Sequence, residues 1–279
     1  ESGQVAFWEF KENLPYVDTE FVSQLGDDDY LIPNGIAQCI QHLRDNSDLA
    51  ATQGDGLIID PPDFNSLQHI NAVHPYPGPI LLEDKACDRL VNHFSNYTTP
   101  FFAVFRTEIF KKIFNYFSFE EIRQHCPYGI IGDELLFSAL CVIFGKFDKI
   151  KTLHVIRGVQ ANRGGQQIKK TTITTTEEDK QKSIEFFAKN ISLAINESDQ
   201  RSITELENIT RDSVMNFLKG YNQPKKDPKY HFKSLLEQTI RKILATFFLL
   251  KFTIYLKKYI FNRKDLSIEN LLKPNNKNH

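Results

Sequence analysis

The sequence predicts an α/β fold, and three observations carry that expectation. "EFVSQLG" (20–26) alternates apolar and polar residues and ends in glycine, the pattern of a strand running into a turn. Ile36, Ile40 and Leu43 then recur on one helical face behind Pro33, and "LAATQG" (49–54) follows as a second strand. Two more short apolar runs, "PFFAVF" (100–105) and "IKTLHVIRG" (150–158), read as buried strands, each separated from its neighbours by helical patterns. Strand, helix, strand is the rhythm of an α/β protein, in which ligands gather at the carboxyl ends of the strands.

The remaining elements fill in around these. "QVAFWEFKENL" (4–14) has a loose helical spacing of Val5, Phe7, Trp8 and Leu14. Residues 60–80 carry five prolines and no period, so a loop is expected. "LEDKACDRLVNHFSNY" (82–97) reads as a helix; Thr107 and Glu108 suit the start of another, "EIFKKIFNYF". "GDELLFSALCVIFG" (132–145) is an apolar helix opened by acids, and the threonine run at 171–176 leads into "EEDKQKSIEFFAKNISLAI".

Hydrophobic content of 41% and charge of 25% are ordinary for a soluble domain, and a net charge of −1 argues against nucleic acid as a partner. Four widely spaced cysteines, Cys39, Cys87, Cys126 and Cys141, read as reduced core thiols of a cytoplasmic protein, with neither a disulfide frame nor a zinc site. No signal peptide is evident. The chain begins Glu-Ser-Gly and its single methionine is Met215, so an internal fragment whose natural N-terminus is missing is expected. From Lys225 to Lys264 eleven Lys/Arg face two acids among phenylalanines, leucines and tyrosines. Lys251 keeps the apolar run below the roughly 18–20 residues of a membrane span. The segment 225–264 reads either as an amphipathic surface held on an anionic membrane, or as a core-packing helix with solvated lysines. The division expected is a first domain over 1–190 and a helical, basic, amphipathic region over 191–279.

The chemistry centres on "GDDDYL", where Asp27, Asp28 and Asp29 stand together. Adjacent carboxylates repel and resist desolvation, so they belong beside a cation or on a solvated turn. A calcium loop of the EF-hand kind would need glycine and glutamate where Ile32 and Gln38 stand. A haloacid-dehalogenase-type phosphatase would need Thr or Val at Leu31 and an acid at Phe137. A nucleotide-sugar site fits better. There a strand-end acid holds a divalent cation that neutralises charge on the departing diphosphate, and a second carboxylate deprotonates the acceptor hydroxyl. "GDELLF" offers that second carboxylate as Asp133 or Glu134, whose plain alternative is helix-start acids. Asp55 suits an acceptor loop or a turn, and Tyr76, Tyr97 and Trp8 could stack on sugars or pack in a core.

In order, "TEFVSQLGDDDYLIPNGIAQCIQHLRDNSDLAATQG", "FFAVFRTEIFKKIF", "IIGDELLFSAL" and "HVIRG" resemble the bacterial GT-A-fold glycosyltransferases, over about residues 5–165. They look closest to the subgroup with an Asp-Asp-Asp strand end and a downstream Gly-Asp-Glu helix. The resemblance implies a GT-A-like mixed sheet flanked by helices, with the N-terminal nucleobase-binding strands missing and a C-terminal helical tail. It implies that Asp27 faces the ribose and Asp29 the metal, with Asp28 sharing either task, and that Asp133 or Glu134 is the base of an inverting transfer. His154, Arg157 and Arg163 match positions that touch the diphosphate; their plain reading is routine strand-end groups. The implied cofactor is Mg2+ or Mn2+, the donor a nucleotide-diphosphate sugar, and the acceptor a glycan or lipid-linked sugar. The expected location is cytoplasmic and peripheral on the inner membrane. The rival readings are a metal-dependent phosphatase or nucleotidyltransferase, and a non-catalytic membrane-surface interaction protein.

Overall fold

The computed structural model describes residues 11–26, 29–60, 72–158 and 176–221, and all of them lie in the first of two units, Glu1–Gln223 and Pro224–His279. Residue 190 falls inside a helix of that first unit. Asp27, Asp28, Arg163 and the basic segment 225–264 lie outside the described residues, as does the 4–10 part of the expected first helix.

The chain is α/β, with a mixed sheet flanked by helices. Among the described residues the strands are β1 (Phe21–Ser23), β2 (Asp29–Leu31), β3 (Leu49–Asp60), β4 (Ala72–Tyr76), β5 (Val104–Arg106) and β6 (Lys146–Gly158). The helices are α1 (Pro33–Asp45), α2 (Ala86–Ser95), α3 (Thr107–Tyr116), α4 (Phe119–His125), α5 (Leu136–Ile143), α6 (Glu177–Asn196) and α7 (Ile203–Tyr221). The sheet order is β1-β5-β3-β6-β2, with β4 beside the far half of β3. Only β3 and β6 pair in parallel; the other pairings are antiparallel.

Two expectations change in this frame. The strand expected over 20–26 ends at Ser23, and Asp29 opens a separate strand, β2. β1 and β2 therefore lie on opposite edges of the sheet, with Asp29 as the first residue of β2. The stretch expected to be a loop at 60–80 contains β4, whose Pro75 is accommodated on a strand with β3 on one side. β3 and β6 are also longer than the sequence pattern indicated.

The layers follow from which residues are apolar. On one face α1 buries Cys39 and Leu43 against Leu49 and Val104. Pro33 occupies its first turn, and the Arg106 guanidinium donates to the carbonyls of Leu43, Asn46 and Leu49 just beyond its end. The other face carries the main core, in which Ala51, Phe105 and Phe147 from the sheet meet Leu90, Phe114, Leu140, Phe187 and Leu218 from the helices. Residues 136–143 are buried without exception, so α5 is the central helix of that layer. Helices α4 and α6 each begin with a capping box, Ser118 with Glu121 and Thr176 with Asp179.

The long pair β3–β6 is irregular. Its register slips between Gln53 and Asp55 and again between Asp55 and Gly56, which bends both strands. Glycines allow the close approaches this requires. A Cβ on Gly35 would lie 2.2 Å from the Leu153 carbonyl oxygen, so only glycine lets α1 rest on β6 there. A third small cluster, Tyr76, Phe102 and Val155, closes the far end of the pair. That end, the carboxyl end of β3 and β6, holds the candidate site.

Candidate functional site

Asp29 and Arg157 are cross-strand partners in the β2–β6 ladder. The Asp29 side chain is only 4% exposed, and its Oδ1 lies 3.8 Å from Arg157 Nε, an ion pair beyond hydrogen-bond length. The Arg157 guanidinium sits 5.0 Å from the ring centres of both Tyr76 and Phe102. Two aromatic faces and a buried carboxylate thus fix one planar cation, while its Nε finds no hydrogen-bond acceptor. Gly56, opposite Tyr76 in the β3–β4 register, makes room for this packing; a Cβ there would lie 2.8 Å from Val155 and 2.9 Å from Tyr76. The Tyr76 hydroxyl donates to the Thr99 carbonyl at 3.2 Å.

Glu134 approaches the same place from the helical side. It lies within a five-residue π turn, Ile131–Leu135, that precedes α5. Such wide turns insert a residue into helical packing and recur where a side chain must be aimed. Half-buried, Glu134 accepts a hydrogen bond from the Tyr97 hydroxyl at 2.7 Å through Oε1. Burial pushes its carboxyl above the ordinary value; the Tyr97 hydrogen bond and the Arg157 charge pull the other way without cancelling that push.

Tyr76 ties the two halves together. Burial is the first cause that raises the pKa of its hydroxyl, and it feels Arg157, Glu134 and Asp29 at once, the cation lowering and the two carboxylates raising that pKa. Two carboxylates and one arginine, from β2, the π turn and β6, therefore lie within electrostatic reach of a common tyrosine. A carboxyl whose pKa burial raises, near a fixed cation, can accept a proton from a hydroxyl while the cation receives an anionic group.

The expected site residues divide as follows. Asp29 and Arg157 come together, and Glu134 lies within electrostatic reach of Arg157. The backbone of Asp133 stands beside Glu134 in the π turn, and its side chain lies outside the described residues. His154 is elsewhere: it is fully buried under α1, where Gly35 and Gly54 pack against its backbone and Cβ. The register jump from Asp55–Leu153 to Gly56–Val155 passes over it, and neither ring nitrogen has a hydrogen-bond partner. Burial lowers its pKa to about 4, so it is a neutral core histidine near pH 7. Asp55 lies within β3 and pairs with Lys149 at 2.8 Å rather than in a loop. Trp8 lies outside the described residues.

Sequence reasoning did not find two polar groups behind Glu134. His93 Nε2 lies 2.8 Å from the Ser138 hydroxyl, and both residues are buried. The signal was present as two i, i+4 pairs, His93–Tyr97 and Glu134–Ser138, the second placing polar groups on an otherwise apolar stretch. A groove of about 470 Å3 between α2 and α7, lined by Val91, Phe94, Asn216 and Phe217 among others, gathers no comparable set of charges. Among the described residues no three His, Cys, Asp or Glu side chains are grouped closely enough to hold a metal ion, and no helix is long and apolar enough to cross a membrane. No protein-family model matches this chain, and no curated protein matches it.

Proposed function

We propose that this chain is a GT-A-type glycosyltransferase that moves a sugar, with inversion, from a nucleotide-diphosphate donor to a glycan or lipid-linked acceptor. The observation that carries the reading is the pairing of Asp29 with the ring-clamped Arg157 near the carboxyl end of β6, with Glu134 within electrostatic reach of that cation. In the proposed reaction the acceptor hydroxyl oxygen forms its bond to the anomeric carbon as the bond from that carbon to the diphosphate breaks. Glu134 takes the hydroxyl proton, for which a carboxyl raised by burial is better matched than an exposed one. Arg157, held flat by Tyr76 and Phe102, meets the charge left on the diphosphate.

The donor set is compatible with Mg2+ or Mn2+. Hard cations take carboxylate and phosphate oxygens, and one or two carboxylates suffice when the substrate supplies the rest. Asp29, with Asp27 or Asp28, would hold the ion, and when bound it would neutralise charge on the leaving group. The basic segment 225–264, read from the sequence, suits a lipid-linked acceptor by keeping the enzyme at an anionic surface.

The test is a transfer and hydrolysis screen of the whole chain with nucleotide-diphosphate sugars, in Mn2+, in Mg2+ and in chelator. Release of nucleoside diphosphate that disappears in chelator supports the proposal. Release that persists in chelator removes the metal from it. Phosphate release from simple monoesters, with none from any nucleotide sugar, would favour the phosphatase reading instead.

A further inference from the structure

A glutamate side chain turns about three bonds, so a base of this kind acts well only when something holds its outer end. For Glu134 that something is Tyr97. Helix α2 ends at Ser95, and Asn96 closes it by donating its backbone N–H to the Asn92 carbonyl at 3.1 Å. Tyr97 follows directly, and its ring is wedged among three others. Ring centres lie 4.6 Å away at Phe217 of α7, 5.0 Å at His93 and 6.1 Å at Phe94. From that seat the Tyr97 hydroxyl lies 2.7 Å from Glu134 Oε1, the length of a hydrogen bond to a charged oxygen. An ionised carboxylate has no proton to give, so the phenol donates. Burial first, and the nearby Glu134 charge next, hold the Tyr97 pKa well above its ordinary value, and the phenol therefore keeps its proton at neutral pH. The sequence left Tyr97 between sugar stacking and core packing. Its ring packs in the core, while its hydroxyl serves the carboxylate.

We propose that Tyr97 is the positioning residue of Glu134: its hydroxyl, seated by Phe217, His93 and Phe94, anchors Oε1 and so fixes the orientation of the carboxylate. The π turn fixes the backbone end of the side chain and the hydrogen bond fixes the other. With Oε1 engaged, Oε2 is the oxygen left to take a proton. The charged and titratable groups within electrostatic reach of Glu134 are Arg157 from β6, Tyr76 from β4, Tyr97 after α2 and Tyr221 at the end of α7. The Asp133 side chain, next to it in the turn, lies outside the described residues. Arg157 is the cation of that set, held by Asp29, Tyr76 and Phe102. Its charge and the Tyr97 hydrogen bond both favour the ionised carboxylate, but a charge acting at a distance is nearly indifferent to how the carboxylate is turned. The hydrogen bond is directional, and it alone selects one oxygen. This inference rests on the proposed function for what the base does, while the pairing of Tyr97 with Glu134 is read without substrate.

The experiment is carbon-13 NMR titration of the glutamate side-chain carboxyls in the full chain, with the Glu134 signal identified by its loss in Glu134→Gln. Tyr97→Phe keeps the ring and its packing and removes only the hydroxyl. It should raise the Glu134 midpoint by about one pH unit, the worth of one hydrogen bond to a charged group. In the wild type, the Tyr97 ring carbon that bears the hydroxyl should shift with the Glu134 midpoint, and that step should vanish in Glu134→Gln. An unmoved midpoint in Tyr97→Phe, in protein whose amide spectrum remains folded, would overturn the proposal. Should Tyr97→Phe fail to fold, the wild-type tyrosine carbon decides: a Tyr97 signal that stays flat while Glu134 titrates overturns it equally. If the chain transfers sugar, the acid limb of its pH–rate profile must move up with the midpoint in Tyr97→Phe while KM for the donor stays unchanged. A lowered rate with an unmoved limb counts against positioning. A moved midpoint in a chain that consumes no nucleotide sugar leaves the pairing of Tyr97 with Glu134 standing and removes the transferase reading.

Discussion

Replacing Arg157 with methionine perturbs the site at its most constrained group. The guanidinium contributes through two ring faces, each 5.0 Å away, and through the Asp29 carboxylate at 3.8 Å. Each cation–π contact is worth about 0.5–1 kcal/mol. The ion pair adds about 1 kcal/mol, because the Arg157 side chain is 29% exposed and partly screened although Asp29 is not. Methionine keeps some contact with the rings, so the expected loss is about 1.5–2.5 kcal/mol overall, a little below the sum of the three contributions. Lysine keeps the charge facing Asp29 but not the flat stacking surface, and should lose about half as much. Urea unfolding at neutral pH, with the slope checked for constancy, measures both. The same Arg157→Met change removes a group that lowers the Glu134 carboxyl, so that carboxyl should move further above its ordinary value. A loss within about 0.5 kcal/mol for Arg157→Met, the range of unremarked surface positions, would refute the picture of a clamped cation.

Three other outcomes are expected. Burial raises the Glu134 carboxyl, so the folded state holds its proton more tightly than the unfolded chain and stability falls as pH rises through that range; Glu134→Gln should therefore be more stable than wild type at neutral pH, with the difference vanishing toward acid, as thermal melts across pH will show. Arg89 is buried and donates to the carbonyls of Val142 and Ile143 at the end of α5 and to those of Glu83 and Asp84, so Arg89→Met should cost about 3 kcal/mol in urea unfolding. Gly35→Ala would gain about 1 kcal/mol of helix propensity, but its Cβ would meet the Leu153 backbone oxygen at 2.2 Å; the clash should win, lowering stability by about 1–3 kcal/mol in the same measurement.

The sequence pattern revealed α1, α3 and α6 because their apolar spacing matches one buried stripe, and it revealed α5 because a run of eight buried residues leaves little else. It did not reveal β4, since prolines on either side of Tyr76 imitate a loop and nothing local announces that β3 continues far enough to pair with it. Nor did it reveal β2: the strand expected over 20–26 stopped short of Asp29–Leu31, three residues too few to show a period of their own. Asp29, Glu134 and Arg157 were legible as chemical types in suggestive places. Their meeting was not, because it depends on the β2–β6 register and on the π turn. His154 shows the opposite limit: a histidine two residues past a threonine at a strand end looks available, but a bulge and two close glycines bury it beneath α1. The hydrogen bonds of Tyr97 to Glu134 and between His93 and Ser138 needed the side-chain geometry itself.

The measurement that bears most directly on the account compares Glu134→Gln with wild type under saturating donor. With nucleotide-diphosphate sugars consumed by the wild-type chain, kcat for transfer should fall about 10²–10⁴-fold, the usual worth of a general base. Donor affinity, read by calorimetric titration, should stay nearly constant because the carboxylate acts on the acceptor. A Glu134→Gln variant that transfers sugar at the wild-type rate would contradict the assignment of Glu134 as the base on which the whole reading of this site rests.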